Sequence, residues 1–123
     1  MIKNSVLLYG IKPETGIMDS VIRGVFAKYS YLCEITSGFD SHGGKISFHN
    51  IGWALDYRTK HLPEQIKIQI LRECKDALPM FDIGLHSKGT ENEHIHSEFD
   101  PKNDPVFQAK KVIWKKTGKW PED

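Results

Sequence analysis

Two cysteines in 123 residues leave nothing for a disulfide framework. Cys33 and Cys74 fall separately in apolar stretches without C-x-x-C spacing, so both are expected to be buried thiols. No apolar run approaches the roughly 18 residues that a bilayer-spanning helix needs, which excludes a transmembrane segment. Charge of one sign is also lacking: 17 Lys and Arg against 16 Asp and Glu leave a net +1. No whole-chain field therefore recruits nucleic acid or an anionic membrane. The apolar run from Val6 to Tyr9 stops at Gly10, too short for a secretory core region and without a small-residue cleavage site. The expectation is a chain synthesised in the cytoplasm without a signal peptide. There are no internal repeats, low-complexity tracts or linkers, and the length fits one domain spanning residues 1–123.

Hydrophobic periodicity supplies the elements. Ile17, Met18, Val21, Ile22, Val25 and Phe26 keep helical spacing, and Tyr31 to Thr36 turns strand-like. The Gly- and Ser-rich segment 37–44 is a loop. Gly52 to Tyr57 reads as a buried strand, and Pro63 suits the first turn of a helix carrying Ile66, Ile70, Leu71, Cys74 and Leu78. Met80 to Leu85 is the next strand candidate, followed by a polar loop, 86–92. His94 to Phe99 is a strand on which His94 and His96 share a face. Asp104 caps and Pro105 begins a last helix with the stripe Val106, Ala109 and Ile113, ending near Gly118. Lys110, Lys111, Lys115, Lys116 and Lys119 make that end of the chain basic, read mainly as a solvated face. The order predicts an α+β fold: a small, mainly antiparallel sheet with flanking helices.

Chemistry concentrates in the histidines. His49 and Asp56 flank a glycine-containing turn into a strand, and His96 lies on a later strand. Two imidazoles and a carboxylate suit a catalytic zinc, which takes three protein ligands and keeps a position open; the set also accepts other divalent metals. Glu93, three positions before His96, is the candidate general base for an attacking water. Singly, each residue has a plainer structural explanation. Together, Ser47 to Asp56 fits S-x-H-x-x-G-x-A-x-D at all five specified positions, a match arising by chance about once in a few million starts.

With Glu93-His94-Ile95-His96 downstream, the chain resembles the zinc D-Ala-D-Ala carboxypeptidase and L-alanyl-D-glutamate endopeptidase family, whose fold is shared with lysostaphin-type peptidases and the hedgehog signalling domain. The resemblance runs from the helix near Met18, through Ile35-Thr36-Ser37-Gly38, to Phe99. It implies one zinc ion per chain on His49, Asp56 and His96, with Glu93 as base, His94 beside the attacking water or developing oxyanion, and Ser47 supporting the site or the substrate by hydrogen bonding. It further implies a hydrolase of peptide bonds in peptidoglycan, a D-Ala-D-Ala carboxypeptidase or an endolysin-type endopeptidase; the lack of a signal peptide fits a phage endolysin-like enzyme released to the cell wall by a separate factor, expected as a monomer with no nucleic-acid partner. One departure stands out: family members follow Ser-Gly with an aromatic and an Arg, whereas this chain has Phe39 and Asp40. Lys45 and Arg58 are candidate substitutes for that cation, and Asp40 is expected to face solvent or the substrate channel. The alternative within the fold is a zinc-stabilised binding module without turnover. The His94-Ile95-His96 element also fits a nicking endonuclease, but no tyrosine nucleophile follows Tyr57.

Because side chains alternate along a strand, Glu93 reaches the metal side only if the strand begins at about His94. Glu98, on the face of His96, is then expected beside the ligands or at the surface, and Glu91 in the loop.

Overall fold

The computed structural model describes residues 11–38 and 47–121. Helix α1 (Pro13–Lys28), strand β1 (Ile35–Ser37), a 3-10 turn (Phe48–Ile51), β2 (Ala54–Arg58), α2 (Glu64–Ala77), β3 (Phe81–His86), β4 (His94–Phe99) and α3 (Pro105–Thr117) follow in that order. The strands form one open antiparallel sheet, β1-β2-β4-β3. The fold is thus α+β, with three helices and a four-stranded sheet. No helix among the described residues is long and apolar enough to cross a membrane.

Alternation gives the sheet two chemically opposite faces. Leu55 and Tyr57 on β2, Ile95 on β4 and Ile83 on β3 turn to one side. There they pack with Met18, Ile22 and Phe26 of α1 and Ile70 and Cys74 of α2 in the main core. Cys33 and Cys74 are both buried there, and burial pushes their thiols up to about 11 and about 12. The neighbouring positions Asp56, His94, His96 and Glu98 occupy the opposite face, in register with Arg58, His86, Gly84 and Asp82. A register shift between Ile35 and Ser37 sets Ser37 opposite Asp56, the kind of irregularity that re-aims a side chain at a sheet edge.

A second, smaller core of Phe48, Trp53, Ala54, Phe107 and Trp114 joins α3 to the 3-10 turn. Trp114 stacks on Phe48 with ring centroids 4.9 Å apart and 8° between planes. Asp104 caps α3 as expected, accepting from the Phe107 N–H at 3.0 Å, and Gly118 ends the helix at φ +77°. The expected stripe is wrong, however. Val106 and Ile113 are 64% and 48% exposed, and Phe107 and Trp114 are buried instead. The aliphatic residues had the right spacing, but the aromatics, also a helical repeat apart, remove more apolar surface from water and take the inner face. Trp114→Ala is therefore expected to cost about 3–5 kcal/mol in chemical denaturation. Ile113→Ala should stay within about 0.5 kcal/mol of wild type.

Candidate metal centre

The turn that carries His49 is held from three sides. Ser47 Oγ accepts the His49 N–H at 3.2 Å, capping the 3-10 turn and supporting the site by hydrogen bonding. Phe48 plugs it into the small core. Gly52 closes it with φ +81°, a left-handed value natural to glycine. The Gly52 carbonyl accepts from Lys12 N–H (2.9 Å) and Thr15 Oγ1 (2.6 Å), fastening the turn to the start of α1.

His49 is thereby buried with its Nε2 3.2 Å from Asp56 Oδ1, and cross-strand pairing brings His96 Nδ1 to 2.7 Å from the same oxygen. The three residues offer donor atoms that all lie within 4.8 Å of one another. Each imidazole has its other nitrogen engaged. His49 Nδ1 donates to the Gly38 carbonyl at 2.8 Å, which leaves the Nε2 lone pair toward Asp56 when the ring is neutral. His96 Nε2 donates to Glu98 Oε1 at 2.6 Å. Hydrogen bonds of this kind fix the tautomer and aim of metal-ligating histidines. Two lone pairs and a carboxylate oxygen pointed at one spot repel unless a cation or proton stands between them, so this donor set fits a metal ion. A second proton on His96 serves the same end. Burial opposes the charged ring, yet the bonds to Asp56 and Glu98 outweigh it and raise the pKa to about 9. Burial likewise opposes charge on Asp56, but His49 and His96 hold its carboxyl well below the usual range.

His94 flanks this group. Its Nδ1 donates to the Asn92 carbonyl at 2.6 Å, and its Nε2 lies 3.8 Å from Asp56 Oδ2. Both His94 and Asp56 line a cleft of about 310 Å³ with Glu34, Ser37, Arg58 and Glu93. Arg58 lies 3.9 Å from Glu34, while Asp40 and Lys45 lie outside the described residues. On the other side of His96, a depression of about 190 Å³ is lined by Asp82, Gly84, His86 and Glu98. Another acidic group, Asp82, Glu98 and Asp100, is countered by lysines: Lys102 and Lys111 reach Asp100 at 2.5 and 2.6 Å.

Strand β4 begins at His94, and Glu93 precedes it as expected. Its carboxylate, however, is held on the α2 side: Oε1 accepts from Lys67 Nζ and Thr59 Oγ1, both at 2.7 Å, and Oε2 from the Gly89 N–H at 3.0 Å. Glu93 and Lys67 are both buried. Burial opposes charge on Glu93, but these three donors more than offset it and bring the carboxyl down to about 2. Glu91 pairs with Lys60 at the surface.

His86, assigned by sequence to the polar loop, is the last residue of β3 and faces the same site. It stacks on His96 at 4.9 Å with 20° between rings. Its period-two relation to Asp82 and Gly84 was the available signal, hidden because the apolar run stops at Leu85. Burial and the neighbouring His96 and His94 hold its pKa below the ordinary value.

Neither a family model nor a curated protein nor a solved structure matches the chain.

The Glu93 carboxyl has a testable signature. With a folded value of about 2 against an ordinary 4.5, its contribution to stability is present above 4.5 and lost as pH falls through about 2. Urea midpoints measured across that window should fall more steeply for the wild type than for Glu93→Gln. At neutral pH Glu93→Gln should itself be destabilised by up to about 3 kcal/mol, because buried Lys67 keeps only the more exposed Glu64 as counter-charge.

Proposed function

We propose that the chain is a zinc-dependent hydrolase of peptide bonds, with peptidoglycan stem peptides or cross-links as substrate and a fold like that of the hedgehog and D-Ala-D-Ala peptidase group. The observation that carries the reading is the convergence of His49 Nε2, Asp56 Oδ1 and His96 Nδ1, each imidazole having its second nitrogen already bonded. The substrate class comes from the resemblance of the Ser47-to-Asp56 segment and of Glu93 to His96. A zinc ion bound by these three residues supplies Lewis-acid polarisation and acidifies water near neutral pH.

The chain's own groups do the rest. Glu98 and the Gly38 carbonyl keep the two ligand rings aimed, and Ser47 keeps the His49 turn closed. His94, its Nδ1 proton committed to Asn92, presents the Nε2 lone pair on the Asp56 side of the cleft. There it takes a proton from the attacking water and returns it to the leaving amine. Glu93 would have to leave Lys67 and Thr59 to share that task, and with its carboxyl near 2 it is a poor proton acceptor. We therefore assign it to fixing the loop ahead of β4, and the proton transfer to His94.

The same engagement of Glu93 favours a second reading, a zinc-stabilised module of this fold without turnover. Mass spectrometry of muropeptides after incubation with zinc-loaded protein separates the two, since the product masses name the bond cut and unchanged muropeptides would leave only the module. Under the hydrolase reading, His94→Ala should keep its tightly bound zinc and lose about 10²-fold to 10⁴-fold in turnover. Glu98→Gln should weaken zinc binding by about 10-fold to 100-fold in competition with a chelator. Elemental analysis should find close to one tight zinc per chain. Full zinc retention in both His49→Ala and His96→Ala would exclude this ligand set.

A further inference from the structure

We propose that the outer face of α3 docks flat onto the surface of an anionic phospholipid bilayer, independently of the metal centre and of the reaction assigned to it. Three of the large hydrophobic side chains exposed among the described residues lie on this one helix: Val106, Val112 and Ile113, at 64%, 54% and 48%. Pro105 and Ala109 are exposed with them. At 3.6 residues per turn these five positions fill about a third of the helix circumference, on the side away from Phe107 and Trp114, which bind the helix to the small core. Helix geometry sets Lys110 at one margin of this apolar arc and Lys115 at the other, with Lys116 inside it near the C-terminal end. The Lys115 ammonium rests over the Trp114 ring, 5.1 Å from its centre.

An apolar arc edged by lysines suits the boundary between headgroups and acyl chains: the aliphatic groups leave water while the ammonium groups stay level with the lipid phosphates. With 13 residues α3 is about 20 Å long, well short of the roughly 30 Å hydrocarbon core, so it lies on the bilayer and does not cross it.

Charge complementarity selects the partner. The near-neutral total conceals a segregation. Residues 102–119 hold six lysines against Asp104 alone, a net +5, which leaves 11 Lys and Arg against 15 Asp and Glu, a net −4, for the rest of the chain. Lys102 and Lys111 pair with Asp100 beneath the helix, while Lys115, Lys116 and Lys119 are exposed. An anionic bilayer is drawn to this end and orients the molecule, its acidic remainder turned away. A second copy of the chain would bring the same positive charge to the arc and be repelled. A nucleic acid would match the lysines but gain nothing from the aliphatic side chains between them.

The test is co-flotation of the full chain with vesicles of equal parts phosphatidylcholine and phosphatidylglycerol, against vesicles of phosphatidylcholine alone. Partitioning is expected into the anionic vesicles, at least about tenfold weaker into the neutral ones, and falling as salt is raised. Lys116→Gln should lower it about fivefold, the effect of one lysine near such a surface. Combining Val106→Ser with Ile113→Ser should lower it by about tenfold or more, through the lost apolar contact. Circular dichroism checks that each variant folds, and the isosteric pair Val106→Thr and Val112→Thr replaces the serine pair if that variant does not. No partitioning into anionic vesicles at low salt, or equal partitioning into neutral ones, overturns the proposal. Vesicle binding unchanged by the serine or threonine pair would mark a surface for polyanions in general, and dimerisation abolished by that pair would assign the arc to a second copy; either result overturns it too.

Discussion

Everything on the polar face is arranged around the negative charge of Asp56. A carboxylate that is nearly buried is costly unless several donors or a cation surround it, and this one has imidazoles on both sides. His49 comes from the 3-10 turn and His96 and His94 from β4. The sheet register, the Gly52 turn and the two outer acceptors, Gly38 O and Glu98, all bring cationic or metal-binding nitrogens to that carboxylate and hold them there. Without such partners the residue between Leu55 and Tyr57 would be a charge set into the middle of a strand.

The strands accommodate this because their two faces are independent. Main-core packing against α1 and α2 uses Leu55, Tyr57, Ile83 and Ile95, so the opposite positions are released from burying apolar surface. Stability and chemistry are carried by alternate residues of the same strand. The exception is the Glu93–Lys67 pair, where a residue expected beside the His49, Asp56 and His96 group is drawn under α2 by a buried lysine.

Much of this was legible beforehand. The strand 94–99, the Asp104 cap and the Gly118 stop follow from local chemistry or period, the grouping of His49, Asp56 and His96 from the motif resemblance, and each is found. What could not be read depends on contacts distant in sequence. Nothing near Glu93 in the chain announces Lys67. The choice of Phe107 and Trp114 over Val106 and Ile113 depends on Phe48 and Trp53, far upstream. His86 hid for a different reason: at a strand end, composition turns polar before pairing stops, so a period-two pattern loses its last member.

The small aromatic core has a practical side. All three tryptophans of the chain, Trp53, Trp114 and Trp120, gather around Phe48, immediately beside His49, and none belongs to the main core. Trp53 and Trp120 stand 4.5 Å apart in edge-to-face contact. Tryptophan fluorescence, excited beyond the tyrosine absorption, therefore watches only one lobe of the molecule, the one that grips His49. Emission records the seating of the His49 turn, while far-ultraviolet dichroism records the sheet and its helices. The protein carries a built-in optical separation between the histidine-bearing turn and its scaffold.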